Sequence, residues 1–206
     1  GSVTLDDRVV TDSTAREMTN LGTGYVPADR HRFGLVLGFS VADNLVLTSY
    51  YRSPYAKRGI LRDEDAIEAS AKETTSAFDI RTPSVRSKVS TLSGGNQQKV
   101  VVGREFDRKL SLLVLDQPTR GLDVGSIEFI HRRTIKQRDE GAAILLVSAE
   151  LDEVLELSDR VAVMYRGRIV AIRDGRTADK NEVGLLMATG GRGDRAASPA
   201  GEGVPA

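Results

Sequence analysis

The residues best suited to chemistry lie in one run, Leu92-Ser93-Gly94-Gly95-Asn96-Gln97-Gln98-Lys99. Two glycines after a serine, at the opening of a helix, make a phosphate cradle. Without side chains in the way, backbone N–H groups approach phosphate oxygens, and the helix N-terminus adds partial positive charge. The Ser93 hydroxyl can donate a further hydrogen bond. An ordinary serine-capped helix begins with the same letters, so the run takes its meaning from the residues downstream of it. Leu112-Leu113-Val114-Leu115-Asp116 is an apolar strand that delivers a carboxylate to its C-terminal edge, where ligands sit in open α/β sheets. A strand can also simply end in aspartate. Gln117-Pro118-Thr119-Arg120-Gly121-Leu122-Asp123 then places an amide and a second carboxylate close behind the first.

These positions need elements to hold them. A Gly-rich turn opens a helix over 95–106, and the strand at 111–115 comes next. A turn with Pro118 and Gly121 leads to a helix over 125–139 and a second buried strand over 143–147. A short helix over 150–157, a third strand over 160–164, a hairpin at Gly167 into 168–172 and a last helix over 180–187 complete this half. Upstream, two short strand pieces flank Asp6-Asp7, and Thr14 and Glu17 have capping-box spacing. Residues 24–38 read as a strand end and a loop. Ser40 caps a helix reaching 47, loops surround Pro54 and 83–91, and a polar, Ala-rich helix covers 63–78. Alternating strands and helices predict an α/β fold with a parallel sheet, and 39–107 a mostly helical second lobe. Residues from about 190 onward are mostly Gly, Ala, Pro and Arg and predict a disordered tail.

Composition narrows the classes. The chain has 206 residues, 40% apolar and 28% charged, as in a soluble globular protein with a real core. Lys plus Arg equals Asp plus Glu, for a formal net charge of zero, so long-range attraction to nucleic acid is not indicated. There are no cysteines, which excludes disulfides, thiolate metal sites and cysteine nucleophiles. No apolar run approaches the roughly 20 residues of a membrane helix, and no signal peptide is evident at the N-terminus. His31 and His131 lie in no metal-spaced cluster; both read as surface or loop residues. Arg30, Arg32, Arg52, Lys57 and Arg58 can meet phosphates or a partner, but such charges are more often solvated. Glu150, Asp152 and Glu153 read as helix-start residues favouring the dipole.

In order, spacing and wording, Ser93 to Lys99, Leu112 to Asp116 and Gln117 to Asp123 resemble the ABC ATPase family over roughly residues 1–188. The resemblance implies a P-loop NTPase-like parallel sheet core with a mostly helical subdomain. It makes Ser93, Gly94, Gly95, Asn96 and Gln97 the signature motif, which meets the γ-phosphate held by an opposite nucleotide-binding domain. Asp116 matches the Walker B aspartate, which holds Mg²⁺, and Asp123 the D-loop aspartate at the dimer interface. ATP and Mg²⁺ are the implied cofactors. Asn96-Gln97-Gln98-Lys99, and Gly24-Tyr25-Val26-Pro27-Ala28-Asp29-Arg30 in place of the glutamine loop, resemble the monosaccharide and nucleoside importers. Residues 34–47, Tyr50-Tyr51 and 117–131 look closest to the nucleoside branch. ATPase subunits of that type carry two tandem cassettes, and this sequence looks like the second. The implied division is 1–38 for the remnant of the N-terminal core, 39–107 for the helical subdomain, 108–189 for the RecA-like core and 190–206 for the tail. The implied partners are the first cassette, transmembrane permease subunits and, indirectly, a substrate-binding protein, with no nucleic acid. The implied place is the cytoplasmic face of the membrane.

The departures from the family pattern matter as much. No Gly-x-x-x-x-Gly-Lys-Ser/Thr occurs in the sequence, so the core is expected to be incomplete on its N-terminal side, with apolar surface exposed and little ATP binding by this chain alone. Gln117 stands where most members carry a general-base glutamate, and Ala149 where they carry the switch histidine; Ala28 replaces the usual glutamate of Pro-Glu-Asp-Arg. A neutral amide is no base, and base assistance is worth about 10²–10⁴-fold. The expectation is a degenerate cassette that lends its signature to a competent partner site. The alternatives are a non-transport ABC ATPase acting on DNA or ribosomes, against which the lack of heptad coiled coils and of excess basic charge argues, and a non-hydrolysing dimerisation module.

Overall fold

The computed structural model describes residues 1–58 and 61–191; of the expected disordered tail, 190–206, all but Gly190 and Gly191 lies outside the described residues. The chain divides into two compact units, Gly1–Val147 and Ser148–Ala206.

The first unit opens with the hairpin β1 (Thr4–Leu5) and β2 (Arg8–Val9), turned by Asp6 and Asp7, both with positive φ, as a tight hairpin turn requires. Helix α1 (Ala15–Asn20) starts at the expected capping box of Thr14 and Glu17. Strand β3 (Thr23–Val26) comes next, then a π-helical turn, Arg30–Gly34. Helix α2 (Val41–Leu45) is capped by Ser40. The short pair β4 (Ala56–Lys57) and β5 (Leu61–Arg62) precedes α3 (Glu64–Ala77), capped by Asp63. Helix α4 (Gly94–Phe106), strand β6 (Leu112–Asp116), helix α5 (Val124–Asp139) and strand β7 (Ala143–Val147) complete the unit.

The sheet is three-stranded and parallel, in the order β3-β6-β7. Side chains alternate between its faces. Val26, Leu113 and Leu115 on one face are fully buried in the core with Val100, Val101 and Val102 of α4. The opposite face carries Tyr25, Leu145 and Val147, each about half exposed at 47%, 53% and 48%. The outer edge of β3 is closed by α4 and the residues just after it: the Tyr25 N–H donates to the Glu105 carboxylate at 3.4 Å, and Arg108 donates to the Thr23 carbonyl. Strand β7 pairs only with β6 among the described residues. The run 143–147, expected as a buried strand, is therefore an exposed one, because its apolar character is matched by neighbours on one face and one edge only.

Helix α4 is buried from Gln97 through Phe106. A helix buried all round must satisfy its own polar groups. Arg104 donates to Glu105 at 2.8 Å and to the Gly34 carbonyl at 2.8 Å. Lys99 donates to the Asp79 carboxylate at 2.7 Å, and its ammonium stands 5.0 Å from the Phe129 ring centre.

The second unit holds helix α6 (Leu151–Leu157), the antiparallel hairpin β8 (Arg160–Tyr165) and β9 (Arg168–Asp174), and helix α7 (Lys180–Thr189). Its small core is Val161, Val163 and Val183, with Leu151, Val154, Leu155 and Leu186 packed around them. The expected third parallel strand at 160–164 is thus a hairpin strand. The third parallel strand is β3, which the sequence had suggested only as a strand end. No helix among the described residues is long and apolar enough to cross a membrane.

Candidate functional site

The first turn of α4 and the first turn of α5 meet across a groove of about 430 Å³. Ser93, Gly95, Asn96 and Lys99 line it from α4, Asp123, Gly125, Ser126, Phe129 and Arg132 from α5, and Asp79 and Arg81 from the loop after α3. Both helices open on caps that the sequence predisposes. Ser93 is the N-cap of α4, and its Oγ accepts from the Asn96 N–H at 3.4 Å and from the Asn96 amide at 2.9 Å. Asp123 is the N-cap of α5 and accepts from the Ser126 N–H at 3.0 Å and the Ser126 hydroxyl at 2.8 Å. Those hydrogen bonds, the backbone one first, hold the Asp123 carboxyl below its ordinary pKa. The two caps touch at Gly95. A Cβ there would lie 2.9 Å from Ser126 Oγ and 3.2 Å from Asp123 Oδ2, so a larger residue would push into the cap of α5.

The groove can receive an anion. Ser93 is exposed, and its acceptor capacity is turned inward onto Asn96, which leaves the hydroxyl proton for a donor bond outward. Orphan N–H groups of the α4 first turn lie beside it. Lys99 is 9% exposed and bound to Asp79; its hydrogen bond and charge hold the Asp79 carboxyl below its usual value. The groove therefore carries compensated charge at its floor and two further cations, Arg81 and Arg132, in its lining, Arg81 also pairing with Asp79 at 3.9 Å.

Other candidate residues fall elsewhere. Asp116 is half-buried at the C-terminal end of β6, in register with Val147. Gln117 comes directly after it with φ +50 and donates its N–H to the Val147 carbonyl at 2.8 Å. Neither lines the groove. Ala149 is exposed and belongs to the second unit. Among the described residues no cluster of three His, Cys, Asp or Glu could hold a metal ion. One half-buried carboxylate suits Mg²⁺, which takes one or two carboxylates and completes its shell with phosphate oxygens and water. Asp116 fits that part. Gly94 and Gln97 stand behind the groove, against Arg30 and His31.

Sequence reasoning missed the supports. Gln98 donates to the Pro118 carbonyl at 2.8 Å and so ties α4 to the loop after Asp116. The Lys99–Asp79 pair spans 20 residues. A charged residue inside an apolar helix stretch was the available signal, but its partner lies in a loop with no pattern of its own. Glu150 occupies the N-cap of α6 without a side-chain cap bond; Ser148 Oγ accepts its N–H instead, at 3.0 Å.

Comparison with known proteins agrees with this geometry. Residues 1–120 match the family described as ABC transporter. The chain is 46% identical over 188 residues to the guanosine import ATP-binding protein NupO of Bacillus subtilis, covering 91% of this chain and 37% of that protein. It is 48% identical over 190 residues to the nucleoside import ATP-binding protein NupA of Lactococcus lactis, covering 92% and 37%. The chain thus spans little more than a third of the length of these relatives. Among solved structures, a dimeric ATP-binding cassette in a post-hydrolysis state with ADP and Pi superposes with a TM-score of 0.70 at 20% identity, over 86% of this chain and 75% of that one. At that identity the likeness establishes the fold, an ABC ATPase cassette. Two helix caps meeting at a glycine, an aspartate ending a parallel strand, and close relatives in import systems converge on one assignment: the chain belongs to the ABC transporter family of ATP-binding proteins.

Proposed function

We propose that this chain is part of the ATP-binding subunit that energises import of nucleosides or simple sugars, and that it serves as the signature-bearing half of a composite nucleotide site. The groove between the α4 and α5 caps carries this reading: it offers the Ser93 hydroxyl and the backbone at Gly95 and Asn96 to an anion, with Asp123 on its far wall, while the sequence holds no Gly-x-x-x-x-Gly-Lys-Ser/Thr to grip ATP by itself. Ser93 donates its hydroxyl to the γ-phosphate of a nucleotide bound on the opposite cassette, Gly94 and Gly95 open the backbone N–H groups to it, and Asn96 and Gln97 hold the turn. Asp123 faces the opposite cassette at the dimer interface. Asp116 would hold Mg²⁺, which neutralises phosphate charge when bound. Gln117 and Ala149 are two separate degenerate positions, the general-base and the switch position, since neither can take a proton from water at neutral pH.

On this reading residues 1–38, 39–107 and 108–189 are core remnant, helical subdomain and RecA-like core. The opposite site belongs to the first cassette of the same polypeptide. The machine works at the cytoplasmic face of the membrane, on permease subunits supplied with cargo by a binding protein. The names of the relatives, which include guanosine, nucleoside and glucose import ATP-binding proteins, support the cargo class. The half-exposed Tyr25, Leu145 and Val147 support a core that further chain covers.

Titration calorimetry with MgATP tests the reading on this chain and on an N-terminally extended form carrying a Gly-x-x-x-x-Gly-Lys-Ser/Thr loop. Binding by the extended form alone is expected. Tight binding by the present chain would place a phosphate site where the sequence gives none, and would sink the half-site reading.

A further inference from the structure

Gln97 belongs to the signature run, yet its side chain is buried and does not line the groove. Its Nε2 donates to the Val89 carbonyl at 3.3 Å. Its Oε1 is met by His31 Nε2 at 2.7 Å and by Arg30 Nε at 3.5 Å. Because this oxygen only accepts, His31 carries a proton on Nε2 in either of its charge states that keep the bond. The Arg30 guanidinium also lies over Gly94, where a Cβ would sit 2.7 Å from Nη2. Both residues come from the π-helical turn Arg30–Gly34, whose shape is fixed by Asp29: one carboxylate oxygen accepts the N–H groups of His31 and Arg32, each at 3.0 Å. The far end of the same turn is gripped by α4 a second time, through Arg104 and the Gly34 carbonyl at 2.8 Å. The two grips are seven residues apart on α4, about 10 Å along its axis. A turn held at two such points cannot shift without moving the helix.

We infer that Arg30 and His31 are positioning residues for the signature run: through Gln97 they fix the rotation of the first turn of α4, and with it the direction of the Ser93 hydroxyl and of the N–H groups of residues 94–96. The functional meaning rests on the phosphate reading above; the mechanical link does not, and it is tested without nucleotide. The π-helical turn and the signature then move as one body, so displacement of residues 30–34 re-aims the phosphate donors.

Hydrogen–deuterium exchange of this chain, read by mass spectrometry, separates the possibilities. His31→Gln keeps an N–H donor at the place of Nε2, and His31→Glu keeps the size while presenting only acceptors to Gln97. Exchange over 94–98 is expected to quicken about fivefold in His31→Glu and His31→Ala, as loss of one hydrogen bond implies. It is expected to stay within about twofold of the parent in His31→Gln, since the donor bond survives. Exchange over Leu112–Asp116 serves as the gauge of global stability and is expected to hold steady. Equal exchange over 94–98 in all variants, equal loss in the Gln and Glu variants, or quickening shared with Leu112–Asp116 would each overturn the inference. A failure here would leave the calorimetric result untouched, and the reverse holds as well.

Discussion

Ser93 performs two tasks with one oxygen. Its lone pairs cap α4 through Asn96, at 3.4 and 2.9 Å, and its proton remains for a ligand. Ser93→Ala is expected to lose the cap, about 1 kcal/mol of stability measured by urea denaturation. Ser93→Arg fills the groove instead, and in the intact subunit it is expected to abolish transport-coupled ATP hydrolysis. Gln117→Ala is expected to have far less effect, since Gln117 neither lines the groove nor acts as a base; equal losses from the two would refute the asymmetric arrangement. A third residue-scale outcome concerns pH. The Lys99 hydrogen bond depresses the Asp79 carboxyl in the folded state, so the unfolded chain binds the proton more tightly. The stabilisation is therefore complete above the unfolded pKa, near 4, and is lost as pH falls through the lower folded value. Carboxyl NMR titration should find Asp79 below the usual range, and Lys99→Met should return it there.

At the scale of elements, α4 is the axis of the first unit, and its interior charges decide its stability. Glu105 receives Arg104 at 2.8 Å, Arg108 at 3.2 Å and the Tyr25 N–H at 3.4 Å. Glu105→Ala strands the Arg104 guanidinium, whose side chain is 5% exposed, and is expected to cost about 3–5 kcal/mol in urea denaturation. The helices themselves were legible: α3, α4 and α5 begin within a residue or so of the expected 63, 95 and 125, because caps and turns are local chemistry. Ser93 was legible as a cap, whereas Asp123 was read for its carboxylate and not as the cap of α5. What stayed hidden was long-range. His31 lies 66 residues from Gln97 and Arg104 lies 70 from Gly34, and no periodicity predicts such pairings. The π-helical turn Arg30–Gly34 read as loop, since its grips on α4 through Gln97 and Arg104 are set by tertiary packing rather than by propensity.

For the whole molecule, two boundaries are decisive. The division between Val147 and Ser148 places Asp116 and Gln117 in one unit and Ala149 in the other. Sequence order alone could not reveal that division, because the strand–helix alternation continues across it. The second boundary is the outer side of the sheet, where Tyr25, Leu145 and Val147 face solvent. A concentrated solution of the chain is expected to self-associate through this apolar surface. Leu145→Lys should shift sedimentation toward the monomer, and an unchanged association constant would place the contact elsewhere. Ala143–Val147 is also an uncharged, proline-free run of β-favouring residues with a partner on one side only among the described residues. Once heat opens the unit, such segments are expected to stack before the chain refolds. The thermal midpoint of this protein is then a clock reading rather than an equilibrium constant: it should rise with scan rate, and the cooled sample should not retrace its melting curve.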